Sequence, residues 1–583
     1  MKYNWNLELL CTDEKWLEIY QELEQLITKL NKDIKSFLDN PTTFNSFLEE
    51  YIKANLQIEI VYCYPRRHLD ISLKDEKYQN LFAKAINSYN HLLKLIYHFE
   101  QNILENSDLV KKYLEDKKVS FYKRYINLIL RRKDHLLKND TQKIKYEQNN
   151  QEIKQNYENM FNNGFKIENA LVDGEKIEIN RFNYNRLLLD KSPSKRRVIF
   201  ELYTKEYIKN NDVLTQLYLS KLQNEIELSK KENFSSLLSK KLFELELDPV
   251  VFDPVLKQIN ENLRIMHEYT YLKKRMLSLE EFHLYDTGLL PSSTVKTKYS
   301  FEEALSIVKG ALNVLGSDYI SLIDKMFDEG WCDVYPKNDK RSYSYTCLSY
   351  VGAPYVLMNY DGSLNAIRTL AHEIGHALNA YYSKNKNSFA YFEIPYLLTE
   401  IASKVNELLL NDYLLKISTD EEMKKYVLNN NVSNLGNSLF GQIMLTEFEH
   451  TVIKKMEINE KISKEDLNNI YLKISQKYNG NGLTYDEYVK YGWSKISSFI
   501  MQDSYYLYQY SLGMAIATNI SKRILAGEPN IVEKYKKFLA IGKRKSITQA
   551  LSELDIDLQD GKYMAKAMEF LEQNITLLKE YFN

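Results

Sequence analysis

Residues 369–378 read Thr369-Leu370-Ala371-His372-Glu373-Ile374-Gly375-His376-Ala377-Leu378. Two histidines four apart on a helix lie on one face, about a turn from each other. Both imidazoles can then reach one tetrahedral zinc ion. The glutamate after the first histidine projects beside the open coordination position, where it can take a proton from an attacking water. The neighbours favour a helix: Leu364, Ile367, Leu370, Ala371, Ile374 and Leu378 recur at three- and four-residue spacing and draw one apolar stripe. Ser363, after Asp361-Gly362, is suited to cap it.

On the C-terminal side, Tyr381 to Tyr391 reads as a polar loop, and Pro395 then opens a second helix, Tyr396 to Leu415. This helix carries Glu400 and Glu407, seven apart and so on nearly one face. A zinc with two histidines needs a third protein ligand, and a carboxylate on a neighbouring helix supplies it in catalytic sites. By spacing, Glu400 and Glu393 both qualify. Glu407 is either a carboxylate that accepts a hydrogen bond from a ligand histidine or a solvated charge on the helix face.

On the N-terminal side, Ser342-Tyr343-Ser344-Tyr345-Thr346 and Tyr355-Val356-Leu357-Met358-Asn359 are β-prone, and Gly352-Ala353-Pro354 between them favours a turn. A small sheet is expected just before the metal helix. Its edge could align an extended peptide by backbone pairing, with Tyr345, Tyr355 and Asn359 as candidate substrate contacts, or the hairpin simply positions the helix. Farther on, Tyr506 and Tyr510 share a helix face. A tyrosine hydroxyl there could stabilise an oxyanion, or the pair could line a core or groove in a chain with 46 tyrosines.

The remainder bounds the reading. The 583 residues suffice for more than one domain, and 44% hydrophobic with 27% charged residues is an ordinary globular composition. The 78 basic and 79 acidic residues are intermixed, so no basic stripe points to nucleic acid. No long apolar run and no secretory leader are found, so neither a membrane span nor export is expected, and a cytoplasmic location is. The cysteines, Cys11, Cys63, Cys332 and Cys347, form no Cys-x-x-Cys pair and read as small, reduced, buried groups. Up to about residue 135 amphipathic helices follow one another, including Trp16 to Phe37 and Tyr78 to Phe99, interrupted at Asn40-Pro41 and at Tyr64-Pro65-Arg66-Arg67. Residues 138–163 are polar and read as a solvated helix or linker, or as disorder. Leu171 to Ile179 suggests a hairpin about Asp173-Gly174. Helices dominate again beyond residue 416. Neither a Walker-type phosphate loop nor a serine nucleophile elbow is present.

The block around His372-Glu373-Ile374-Gly375-His376, followed by Glu400-Ile401-Ala402-Ser403-Lys404-Val405-Asn406-Glu407, resembles the oligoendopeptidase F branch of the thimet-oligopeptidase-like zinc peptidases. Trp5-Asn6-Leu7, Gly174 through Arg181, Tyr285-Asp286 to Pro291, Glu447-Phe448-Glu449 and Tyr508-Gln509-Tyr510 follow in family order. The resemblance implies one zinc ion held by His372, His376 and Glu400, Glu373 as general base, and Glu407 behind a ligand histidine. It implies Tyr510, with Tyr506 beside it, at the transition state. It also implies a mostly α, two-lobed helical fold around a deep channel, with a small sheet beside the metal helix. Residues 1–185 would form an N-terminal helical region and 186–583 the catalytic region. The implied activity is cleavage of internal bonds in short peptides, with no nucleic-acid or membrane partner. The chain departs from the family pattern at four places: Ser498 stands where a histidine is common, Asn379 where another is usual, Lys404 where a small residue is usual, and Lys340 to Tyr345 replaces a Gly-Ala-Tyr loop. Two alternatives stand beside this reading, the second of them drawn from the missing histidine. One is a carboxypeptidase of related fold, for which Arg341 is the only candidate to hold a terminal carboxylate. The other is a peptide-binding homologue with reduced activity.

Overall fold

The N-terminal helices show how sequence signals and tertiary partners divide the work. In the computed structural model, which describes residues 3–137, 140–172, 174–181, 183–289 and 298–582, helix α1 spans Asp13–Asp33, α2 Pro41–Ile71 and α3 Glu76–Glu105. Each starts on a side-chain cap: Thr12 on Lys15, Asn40 on Thr42 and Thr43, and Asp75 on Lys77. These caps satisfy amide groups that the first turn leaves without partners. The three helices pack on one another around Trp16, Phe37, Phe44, Phe47, Tyr51 and Phe99.

Pro65 does not end a helix as the sequence suggests; it lies within α2. A proline removes the hydrogen bond to the carbonyl four residues back. Here that carbonyl belongs to Val61, and the Trp16 indole Nε1 donates to it at 2.9 Å. The orphaned acceptor is thus satisfied from α1, and the helix continues.

The fold is mostly α-helical, and the described residues form two small sheets. Strands β1 (Ala170–Val172) and β2 (Glu175–Ile177) make the expected antiparallel hairpin; Asp173 of its turn, like Pro291 farther on, lies outside the described residues. The second sheet comprises β3 (Cys332–Asp333), β4 (Tyr345–Thr346) and β5 (Val356–Leu357) in the order β3-β5-β4. β5 pairs parallel with β3 and antiparallel with β4. β4 and β5 are the expected strands, while β3 joins them from outside the β-prone stretch.

The chain folds as two compact units. The first comprises Met1–Leu136, Thr297–Tyr413 and Ile520–Asp555. The second comprises Leu137–Lys296, Leu414–Asn519 and Ile556–Asn583. Within the second, the polar stretch after residue 138 forms the helix Asp140–Asn159. Tyr218, Phe448, Trp493 and Phe499 stack in its core. Its buried Arg196 donates through Nε and Nη2 to Asp286 at 2.9 and 2.7 Å. No helix among the described residues is long and apolar enough to cross a membrane.

The loop Lys340–Tyr345 is anchored from below. The Lys340 ammonium and the Asp333 carboxylate, both fully buried, meet at 2.7 Å, and Lys340 also donates to the carbonyls of Asp333, Tyr335 and Met358. An ammonium can be buried when its donors are all used. Lys340→Met leaves Asp333 and these carbonyls with fewer partners, so thermal unfolding should come several degrees earlier, for a cost of about 3 kcal/mol. An unchanged midpoint would refute this role.

Candidate active site

Helix α4 (Leu364–Lys386) starts where expected, with the Ser363 hydroxyl accepting from Ala366 N at 3.1 Å. Leu364, Ile367, Leu370, Ala371, Ile374 and Leu378 are all buried. The helix runs beyond the expected end into the stretch read as a polar loop. Tyr381 and Tyr382 face Trp331 and Tyr319. Asn387, just past the last turn, donates to the carbonyls of Ser383 and Ala540. Side chains that look solvated in sequence therefore have tertiary partners.

Helix α5 (Tyr396–Ile417) lies against α4 at Gly375. A Cβ on Gly375 would stand 2.6 Å from Ser403 Cα and 2.8 Å from the Ala402 carbonyl oxygen, so the two backbones are as close as glycine permits. Asn406 Nδ2 donates across this contact to Ala371 O at 3.1 Å.

That approach brings together three side chains that could hold a metal ion. The Nε2 atoms of His372 and His376 are 3.0 Å apart, and Glu400 Oε1 is 3.7 Å from His376 Nε2. One ligand atom from each of the three residues falls within 4.8 Å of the others. The opposite ring nitrogens are occupied. His372 Nδ1 lies 2.6 Å from Glu407 Oε1, and His376 Nδ1 2.9 Å from Thr399 Oγ1. With Nδ1 as the donor in each case, both Nε2 lone pairs point at the shared space, which is how ligand imidazoles are oriented. Glu393, the alternative third ligand, is 71% exposed at its side chain and pairs with Lys543 instead. Two imidazoles and a carboxylate, with further buried negative charge at Glu373 and Glu407, suit a divalent cation such as zinc.

Glu373 points to the same region from α4. Its carboxylate accepts from Thr346 Oγ1 of β4 at 2.6 Å, and the same hydroxyl lies 3.1 Å from the Glu373 carbonyl. Burial raises the Glu373 pKa, while the charge of His372 and the Thr346 bond pull it back, leaving a net upward shift. Burial holds His376 well below the ordinary imidazole range, with the nearby His372 adding to the effect. At Glu407 burial alone would raise the pKa, but the Lys404 ammonium and the His372 bond outweigh it and keep the carboxyl ionised. At His372 the Glu407 hydrogen bond overcomes burial, and the shift is upward.

Several contributors escaped the sequence reading. Thr346 and Thr399 carry no motif. Ser403, which caps the carbonyl of Glu400 at 2.9 Å, was visible only as part of the family block. The other candidates have definite places. The Tyr345 hydroxyl donates to Asp70 and accepts from Arg67 Nη1 at 2.9 Å. Tyr355 is 1% exposed with its hydroxyl on Asn6 O, and Asn359 Nδ2 donates to Arg341 O at 2.9 Å. Asn379 is buried and bonds Leu539 O. In the second unit, the hydroxyls of Tyr506 and Tyr510 lie 2.9 Å apart. The residue before them, Tyr505, has φ +63°, and its amide donates to Glu449 at 2.7 Å. Ser498 begins a single helical turn, Ser498–Met501. Of the cysteines, all four are free and buried, but Cys347 is not merely apolar filling: Arg67 Nη2 donates to its sulfur at 2.6 Å.

A model of peptidase family M3 matches residues 186–570. The chain belongs to peptidase family M3, a family of metallopeptidases. Its similarity to oligoendopeptidase F proteins runs the full length. It is 27% identical over 589 residues to oligopeptidase PepF of Bacillus subtilis, covering 99% of this chain and 87% of that one. It is 28% identical over 589 residues to an oligoendopeptidase F homolog of Borreliella burgdorferi, covering 99% and 98%. Among solved structures, a peptidase of Chlamydophila abortus superposes with a TM-score of 0.90 at 22% identity, covering 100% of this chain and 98% of that one. Oligoendopeptidase-F of Enterococcus faecium gives 0.76 at 24%, covering 98% and 99%. At these identities the structures speak for the fold.

Proposed function

We propose that this chain is a zinc-dependent endopeptidase that hydrolyses internal bonds of short oligopeptides. The observation that carries the reading is the convergence of His372 Nε2, His376 Nε2 and Glu400 with both histidine Nδ1 atoms already engaged. Bound there, zinc would polarise the scissile carbonyl and acidify the attacking water. Glu373 removes a proton from that water as the hydroxyl adds to the carbonyl carbon, and returns it to the amide nitrogen as the C–N bond breaks. Thr346 keeps the Glu373 carboxylate aimed, and Glu407 and Thr399 fix the two imidazoles. Tyr510, with Tyr506 beside it, is the donor to the oxyanion that the family resemblance implies. Tyr345, Tyr355 and Asn359 belong to the sheet region along which the peptide would align.

The carboxypeptidase alternative rests on Arg341. Arg341 donates through Nε to Asp70 at 2.6 Å and through Nη1 to the Tyr343 hydroxyl at 2.7 Å, which uses two of its five N–H donors, so product mapping decides between the two activities. The complete set of ligands and base speaks against a peptide binder without activity. The four free cysteines support a reducing, cytoplasmic setting.

The test is hydrolysis of an internally quenched peptide with and without 1,10-phenanthroline, the products being mapped by mass spectrometry. Chelation should remove more than about 99% of turnover, and stoichiometric zinc should restore it, since the fourth position and the water's acidity both depend on the ion. Chelator-resistant cleavage, or release of single C-terminal residues, would overturn the reading.

A further inference from the structure

The cluster holds a charge that metal binding does not call for. On α5, Lys404 stands one turn after Glu400 and nearly one turn before Glu407. Its Nζ lies 2.7 Å from Glu407 Oε1, the same oxygen that faces His372 Nδ1 at 2.6 Å. Among the described residues Glu407 is its one ion-pair partner. The side chain is only 19% exposed, and it is close enough to feel the charges of Glu400 and Glu373. In sequence this position stood out only as a departure from a small residue.

We propose that Lys404 is a positioning residue that sets how tightly His372, His376 and Glu400 hold their metal: it fixes Glu407 against His372 and, through its own charge, loosens the grip on a dication. The inference rests on the metal reading above. The Lys404 ammonium sets one positive charge beside the carboxylates of Glu400, Glu373 and Glu407, which draw a dication in. Without Lys404 the cluster would be one unit more negative and attract the ion more strongly.

Lys404 acts on the metal in two opposed ways, and their sizes decide the sign. As a clamp it helps orient Glu407, and through it His372, which favours binding. Glu407 nonetheless keeps its short bond to His372 in a buried site, so losing the lysine costs little orientation. As a charge, Lys404 repels the ion. A unit charge one or two turns from a dication shifts an equilibrium by roughly ten-fold or more even at a high effective dielectric. Repulsion therefore wins, and the native lysine makes the metal more exchangeable.

The test measures zinc dissociation constants by competition with a chromophoric chelator, on the full chain, for the native protein and for Lys404→Met, Lys404→Gln, Lys404→Arg and His376→Ala. Lys404→Met and Lys404→Gln should bind zinc about ten-fold more tightly and release it more slowly, while Lys404→Arg stays within about two-fold of native. Glutamine retains a donor for Glu407 without the charge, so it decides the matter should the methionine variant fold poorly. A purely structural lysine predicts the opposite sign, weaker binding in both neutral variants. Unchanged or weaker binding in both, with zinc still lost in His376→Ala, would overturn the role of Lys404 and leave the metal site standing. Zinc binding that is indifferent to His376→Ala would overturn both.

Discussion

Glu373→Gln should lower kcat on a short peptide by about a thousand-fold while KM and the zinc content stay near native. The substitution is close to isosteric. The amide oxygen of glutamine can still accept from Thr346 Oγ1, which holds the native carboxylate at 2.6 Å, so the side chain should keep its place. The candidate metal ligands are untouched, because Glu373 is not one of the three residues that converge. What disappears is the ability to take a proton from water and hand it to the departing nitrogen. Positioned acid–base groups contribute typically about 10² to 10⁴ in rate, and here one group serves both transfers, which puts the effect toward the upper part of that range. Steady-state kinetics together with metal analysis of the purified variant check this. Turnover within ten-fold of native, with zinc retained, would remove Glu373 from the mechanism.

The candidate metal set was legible in sequence because its parts recur along single helices. His372 and His376 are one turn apart, and Glu400 and Glu407 two turns apart, so the residue types announce themselves once a helix is assumed. What spacing left open was the choice between Glu393 and Glu400; the approach of α5 to α4 brings Glu400 within reach of the two histidines, while Glu393 pairs with Lys543. Thr346 was not legible as a partner of Glu373. It lies 27 residues upstream, on a two-residue strand, and nothing in a threonine's neighbours says that its hydroxyl will meet a carboxylate. The misreadings share this cause. Pro65 looks like a helix terminator until Trp16, 45 residues before Val61, donates to the Val61 carbonyl that the proline frees. Tyr381 to Asn387 looks like loop because the acceptors that hold its end are in other segments. Lys404 was visible as an oddity, but that it shares one carboxylate oxygen with His372 depends on how α5 faces α4. Local pattern fixes what a segment is able to be, and distant partners decide the exceptions.

Gly375→Ala should destabilise the first unit by about 2–4 kcal/mol and weaken zinc binding by about a hundred-fold or more. By helix propensity alone the change is favourable, since alanine in a helix interior is worth about 1 kcal/mol over glycine. The sign reverses because of what the new methyl meets. Its nearest neighbours are Ser403 Cα at 2.6 Å, Ala402 O at 2.8 Å and Ser403 N at 2.9 Å, all backbone atoms of α5 that no rotamer change can move aside. Relief requires α4 and α5 to separate by several tenths of an ångström. That contact also sets the ligand geometry, because the two histidines come from α4 and Glu400 and Glu407 from α5. Metal–ligand distances tolerate about ±0.2 Å, so a separation too small to unfold the unit is still large enough to spoil the cluster. Gly164, which has no atom within 4 Å of an added Cβ, provides a control that should accept alanine at little cost. Thermal unfolding and chelator competition on both variants separate the outcomes. A Gly375→Ala protein as stable as native with native zinc affinity would mean that the close approach of the helices is not what assembles the site.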